Sequence, residues 1–417
     1  MKALTIHIGI FGKTNVGKSS LINFITNQNV SIVSNLPGTT TDAVSKQMEL
    51  NPLGPITLID TAGINDVSIL KNARIEKTYN IFDSSDIVIL MCEPEKISDF
   101  EENIILEAKN RKTPCIIVVG KIDLYKPSEM FLKKLKKYTK HILLFSKVIG
   151  NRDDFLNSLK KIFLEVFPDN YRENYFSIKN IVKKNATVVL VTPIDLGAPR
   201  GKIIMPQIQT LRHILDSNAA SYVVQDSEYK TVLQNLKTPP ALVITDSQVV
   251  KQIVAKTPTN IKLTTFSIIY AADKTDIVEM AKGAAILNNL NDNDKVIISE
   301  ACTHHASRDD IGKVKLPKWL KKYSKKDLKI KYVCGQDYPK DITNCKIIIH
   351  CGGCTLNRKS MFARVSKAVE NGVAITNYGI AISVFHGVIE KVLEIFPDAL
   401  NAYRRHLVNN QIIRCQK

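Results

Sequence analysis

Two groups of residues in this 417-residue chain have the types and spacing to do chemistry. One is Cys302-Thr303-His304, answered downstream by His350-Cys351-Gly352-Gly353-Cys354. A Cys-x-x-Cys pair can point two thiolates at one metal, and the glycines between them let backbone approach it closely. Cys302 offers a third sulfur, which makes two merely packed thiols a poor account of the pattern. Spacing alone leaves two metals open: zinc with four protein ligands, or an iron–sulfur cubane on three cysteines with its fourth iron open or otherwise held. The candidate ligands are Cys302, Cys351 and Cys354, with His304 or His350 for a fourth position and Cys345 in reserve.

The other group begins at Gly12-Lys13-Thr14-Asn15-Val16-Gly17-Lys18-Ser19, between an apolar run and an amphipathic one. Backbone N–H groups of such a loop surround phosphates, Lys18 reaches the β/γ oxygens, and the Ser19 hydroxyl ligates Mg²⁺. Thr40, in Pro37-Gly38-Thr39-Thr40, is expected to sense the γ-phosphate and Mg²⁺. Asp60-Thr61-Ala62-Gly63 follows a strand, so that Asp60 holds the metal through water and the Gly63 N–H meets the γ-phosphate. The Asp123 carboxylate of Gly120-Lys121-Ile122-Asp123 can accept both N1–H and N2–H of guanine, a donor pair that adenine lacks, so GTP is expected. The nucleotide set is Gly12, Asn15, Val16, Gly17, Lys18, Ser19 and Ser20 with Lys121 and Asp123; Lys18, Thr40, Asp60 and Gly63 are the catalytic candidates, and Ser19, Thr40 and Asp60 the Mg²⁺ set.

Short apolar runs alternating with amphipathic ones must position these groups, which makes the chain α/β throughout. A P-loop GTPase domain is expected over 1–168 and a small α/β unit over 175–266. An α/β metal-binding domain over 268–417 carries its ligands at the carboxyl edge of a parallel sheet. Ile347–His350 reads as a buried strand leading into the Cys351 turn. Asn357 to Glu370 reads as a helix with Met361, Phe362, Val365 and Val369 on one face. The middle unit has too little chain for a free-standing enzyme, and pairing two of its sheets across a twofold axis would bury an exposed edge, so a homodimer is expected.

The balance of 58 Lys and Arg against 40 Asp and Glu gives a net charge of +18. The lysines are dispersed or lie on helical faces without interleaved aromatics, so solvated surface is favoured over a nucleic-acid site. No apolar run reaches membrane-spanning length and no secretory segment opens the chain, which suggests residence where it is made. Eight cysteines in a loop-poor chain do not read as a disulfide framework, and Cys92 and Cys115 fall in apolar strands as core thiols.

Residues 5–167 resemble the GTPases of the Era and tRNA-modification class. That resemblance implies a potassium ion held by Asn15 in place of an arginine finger. Ile64 stands where Ras-like proteins carry a water-orienting glutamine, so slow, potassium-stimulated hydrolysis is expected. Two departures from the class are Gly120, where an Asn usually opens the guanine loop, and Phe145-Ser146-Lys147 in place of Ser-Ala-Lys.

Taken with Asp195-Leu196-Gly197-Ala198-Pro199 and the two cysteine segments, the whole chain resembles the family of [FeFe]-hydrogenase maturation GTPases. The resemblance implies a [4Fe–4S] cluster on Cys302, Cys351 and Cys354. It further implies delivery of the two-iron precursor of the H-cluster from radical-SAM maturases to apo-[FeFe]-hydrogenase. The setting would be cytoplasmic, or an organellar matrix such as the hydrogenosome. The alternative is a tRNA- or ribosome-associated GTPase with a structural zinc.

Overall fold

The computed structural model describes residues 5–27, 45–51, 53–61, 80–167, 178–194, 203–301, 310–335, 338–339 and 341–415, the side chains of 179 and 409–415 excepted. The chain divides into two compact units, 1–172 and 173–417.

The first unit is built on a sheet of β1 (Ile6–Phe11), β2 (Ser45–Leu50), β3 (Gly54–Asp60), β4 (Ile87–Cys92), β5 (Cys115–Val119) and β6 (Ile142–Leu144), in the order β2-β3-β1-β4-β5-β6. Pairing is parallel except for β2 against β3. Parallel strands covered on both faces read as unbroken apolar runs, and every residue of β4 is buried. The antiparallel β2, Ser-Lys-Gln-Met-Glu-Leu, alternates instead and closes one edge. Cys92 and Cys115 are core thiols, as expected, and burial pushes both up to about 12.

The second unit holds two parallel sheets. One contains β7 (Thr187–Val191), β8 (Ala220–Val224), β9 (Leu242–Thr245) and β10 (Leu263–Thr265), in the order β10-β9-β7-β8. The other contains β11 (Lys295–Ser299), β12 (Lys329–Val333), β13 (Ile347–His350) and β14 (Ala374–Asn377), in the order β12-β11-β13-β14. The largest buried cluster draws on both sheets, with Val189 and Val243 from the first and Ile298 and Ile348 from the second. The helix Phe266–Lys274 leaves β10 without a loop: Thr265 ends the strand and caps the helix, its hydroxyl accepting from Ile268 N at 3.2 Å.

One sequence expectation shifts in detail. The helix Arg358–Glu370 buries Met361, Arg364, Val365 and Ala368, while Val369 is exposed. Arg364 takes the inner place because it has a buried partner, described below. The helix Ile277–Ala285 is started by an Asp276 cap and tightens into a 3₁₀ turn over Ile286–Asn289. No helix among the described residues is long and apolar enough to cross a membrane.

Candidate functional site

The nucleotide loop forms as the sequence requires. Gly12 and Gly17 hold φ of 150° and 108°, and a Cβ on Gly12 would lie 2.6 Å from the carbonyl oxygen of Met91. Asn15 takes the left-handed conformation at φ 62°, which an Asn tolerates better than most residues, and its side chain is exposed. Lys18 Nζ donates to Gly12 O at 2.9 Å and Lys13 O at 2.8 Å, folded back onto the loop it would leave to meet phosphate. Burial lowers its pKa, and the Asp60 charge opposes that shift. Ser19 Oγ donates to Asp60 Oδ2 at 2.8 Å, so the two expected Mg²⁺ positions share one spot. Asp60 Oδ1 is buried with no partner among the described residues. A carboxylate oxygen that stays dry and unpaired beside a hydroxyl fits a hydrated divalent cation.

The guanine side of the site is open. Asp123 is exposed, and Lys121, left-handed at φ 56°, forms an ion pair with Glu93. At Gly120 an added Cβ would lie 3.2 Å from Val16 O, so the residue that replaces the usual Asn lets β5 close tightly on the phosphate loop. Ser146 braces the following turn by accepting from Val148 N and Ile149 N, both at 3.0 Å. Thr40, Gly63, Ile64 and Asp195–Pro199 lie outside the described residues.

In the second unit, Ser299, Val333, His350 and Asn377 stand in one row across the sheet. The residues following that row form its carboxyl edge, where Cys351 begins its turn. Cys351 N donates to Ser299 O at 2.8 Å. The Cys351 Sγ accepts from Ala301 N at 3.1 Å and Gly353 N at 3.4 Å. Thr355 Oγ1 donates to Ala301 O at 3.1 Å. Ala301, the residue before Cys302, is thus tied to the Cys351–Cys354 turn from both its N–H and its carbonyl. Cys302, His304 and His305 themselves lie outside the described residues, and among the described residues no three His, Cys, Asp or Glu side chains converge as a metal site. Gly353 takes φ 63°, where a Cβ would sit 2.4 Å from Met361 Sδ, so only glycine fits the turn.

His350 is fully buried, with both ring nitrogens engaged: Nδ1 donates to Cys351 O at 2.7 Å and Nε2 accepts from Arg364 Nη1 at 2.9 Å. Burial first and the Arg364 charge second drive its pKa down to about 3. It orders the strand end and has no free lone pair for a metal, which removes it as a fourth ligand. Cys345 also drops out. It precedes β13 while Cys351 follows it, with the roughly 13 Å length of that four-residue strand between them, and its thiol donates to Ile347 O at 3.1 Å. Asn377 is a helix cap that accepts from Ile380 N at 2.8 Å and donates to Ser267 O at 3.0 Å. The Tyr378 hydroxyl donates to Glu300 Oε1 at 3.4 Å.

Sequence reasoning missed Lys274, which is 2% exposed and ends the helix Phe266–Lys274 beneath the cysteine turn. Its Nζ donates to Gly353 O at 2.9 Å and to Leu356 O, and lies 4.5 Å from the centre of the Tyr270 ring. Burial lowers its pKa to about 8, with Asp273, Cys354 and Cys351 pulling the other way. The available signal was an Asp-Lys pair closing an otherwise apolar helix.

Strand, glycine turn and helix, with a buried lysine and a Ser–Asp pair at the metal position, define a P-loop GTPase domain, here followed by two small parallel α/β sheets. Residues 7–121 match the family model described as 50S ribosome-binding GTPase, residues 177–275 that of the hydrogen maturase F dimerization domain, and residues 278–395 that of the hydrogen maturase F tetramerization domain. The chain belongs to the hydrogen maturase F (HydF) family. Among curated relatives, the tRNA modification GTPase MnmE of Mycoplasma mycoides is 34% identical over 160 residues, 38% of this chain and 34% of that protein. GTPase Der of Clostridium botulinum is 31% identical over 214 residues, 48% of this chain and 47% of that protein. The chain therefore spans less than half the length of either. Two solved structures resemble part of the chain. The G domain of the T. maritima FeoB iron transporter has 26% identity, covers 39% of this chain and 98% of its own, and gives a TM-score of 0.30. Aquifex aeolicus Era has 20% identity, covers 52% and 92%, and gives 0.34.

Proposed function

We propose that this chain is a GTP-hydrolysing scaffold and carrier for hydrogenase maturation. It would bind a [4Fe–4S] cluster through Cys302, Cys351 and Cys354 and deliver the two-iron precursor of the H-cluster to apo-[FeFe]-hydrogenase, receiving it from radical-SAM maturases. The observation that carries the reading is the pair of N–H bonds to Cys351 Sγ, one of them from the residue before Cys302. Such donors stabilise a thiolate, and the Ala301 bond ties the residue before Cys302 to the Cys351 turn. With His350 and Cys345 engaged elsewhere, three thiolates are left to hold the cubane, and His304 is the remaining side-chain candidate for the fourth iron. When bound, the cluster supplies an iron with an exchangeable position for cargo.

In the GTPase domain, Lys18 would leave the carbonyls of Gly12 and Lys13 to meet the phosphates, and Ser19 and Asp60 would hold Mg²⁺. Asn15 holds potassium, Thr40 and Gly63 contact the γ-phosphate, and Asp123 selects guanine. The γ-phosphate orders these loops and its loss releases them, which gates partner exchange. Dimerisation is supported by β8, an edge strand on which Tyr222 and Val223 are 48% and 44% exposed.

Anaerobic reconstitution with iron and sulfide tests the reading. About four irons per chain, a cluster that becomes paramagnetic on reduction, and its loss in Cys351→Ser are expected. Stoichiometric zinc with tight, salt-sensitive RNA binding would instead favour the tRNA- or ribosome-associated GTPase.

A further inference from the structure

Beneath the cysteine turn lies a buried cation that the ligand set does not use. Lys274 Nζ is held by two backbone carbonyls of the turn, Gly353 O and Leu356 O, residues 79 and 82 positions away in sequence. The Tyr270 ring backs the ammonium and also lies along the turn, 3.6 Å from where a Cβ on Gly352 would stand. Long buried lysines are rare unless something offsets the cost of removing the charge from water. Two neutral carbonyls and a ring face satisfy its donors but carry no charge of their own. Asp273, the neighbouring acid, is itself buried, and burial raises its pKa toward the neutral form. Besides Asp273, the negative charges that oppose loss of the lysine charge are those that thiolates at Cys354 and Cys351 bring.

We propose that Lys274 is a positioning residue of the cluster site: its ammonium clamps the Cys351–Cys354 turn through Gly353 and Leu356 and offsets the charge of the ligated cluster, holding the reduction potential up. This rests on the cluster-binding reading above. Three thiolates on a [4Fe–4S]²⁺ core carry one net negative charge, and one-electron reduction makes it two. A fixed cation at short range in a dry surrounding favours the more negative state. The same ammonium prevents the turn from opening, because its loss leaves two carbonyls buried without that donor.

The test is a redox titration with dithionite, followed by electron paramagnetic resonance, on reconstituted full-length chain. Wild type is compared with Lys274→Met, which removes donor and charge, and Lys274→Gln, which keeps a donor and removes only the charge. Far-UV circular dichroism and thermal melting monitor folding. Both variants are expected to titrate at more negative potential, with the reduced fraction at a fixed potential falling about tenfold, ~59 mV for a one-electron couple. Lys274→Met is also expected to retain less iron than Lys274→Gln. A folded Lys274→Gln with wild-type iron content and wild-type potential overturns the role of the lysine and leaves the cluster reading standing. A wild-type chain that takes up no iron and sulfide overturns the cluster reading and this inference with it.

Discussion

Arg364 and His350 share a hydrogen bond of 2.9 Å wholly inside the second unit, joining the helix after the cysteine turn to the strand before it. Because the guanidinium can only donate, His350 Nε2 must accept, which fixes the proton on Nδ1, where it donates to Cys351 O. The imidazole is therefore locked neutral. Substituting His350 with Gln is expected to weaken folding while leaving about four irons per chain and an unchanged paramagnetic spectrum. Iron analysis on the folded variant checks it, and loss of iron alone would restore the histidine as a ligand.

The same pair sets a pH dependence. His350 falls to about 3 in the folded chain, from an ordinary value of 6.5. The unfolded chain takes up a proton below pH 6.5 that the folded chain refuses. The stabilisation is complete above that pH and declines as pH falls toward 3. By pH 5 the loss is ~2 kcal/mol from this residue. Urea unfolding of metal-free protein at pH 7.5 and 5.0 reads it directly, and His350→Gln is expected to lack that increment.

Gly283 lies inside the helix Ile277–Ala285, where propensity favours alanine by ~1 kcal/mol. A Cβ there would stand 1.9 Å from Ile375 O of β14, backbone that cannot yield without shifting the strand. Overpacking wins, and Gly283→Ala is expected to cost on the order of 3 kcal/mol. Denaturant titration that found the variant as stable as wild type would mean that the helix does not rest on β14.

Asn15→Ala is expected to remove the difference between GTP hydrolysis rates in potassium and in sodium while leaving the slow sodium rate near its original value. Initial rates in the two salts at matched ionic strength, with nucleotide affinity measured alongside, decide it. Persistent potassium stimulation would place the ion elsewhere.

Val223→Lys puts a charge on the exposed edge strand β8, a substitution that natural sheets use to prevent edge pairing. Sedimentation or light scattering is expected to show the wild-type assembly losing its dimer contact, with secondary structure unchanged. A variant of unchanged mass would move the contact off this edge.

The parts of the fold that could be read from sequence are those whose causes are local. Ile6–Phe11 is an apolar strand, and Gly12 to Ser19 needs left-handed and crowded backbone that only its own residues supply, so strand, turn and helix appear where expected. Ile347–His350 was legible for the same reason. What escaped depends on partners far along the chain. Periodicity placed Val369 inside and overlooked Arg364, because nothing near residue 364 announces a histidine in need of a donor. Lys274 escaped likewise, since its carbonyl partners belong to a turn three strands later. Spacing also made Cys345 look available. A strand carries it to the opposite edge of the sheet from Cys351, and only direction along that strand separates the two.

Thr265 finishes one sheet and opens the helix that stops at Lys274, with no intervening loop to absorb a displacement. Nine residues of helix make a strut of roughly 13 Å. One end is anchored on an outer strand of the sheet matched to dimerisation, and the other presses on the backbone of the cysteine turn. With Thr265 capping one end and Lys274 bonded to the turn at the other, a tilt of that sheet relative to the turn has to carry the whole helix with it.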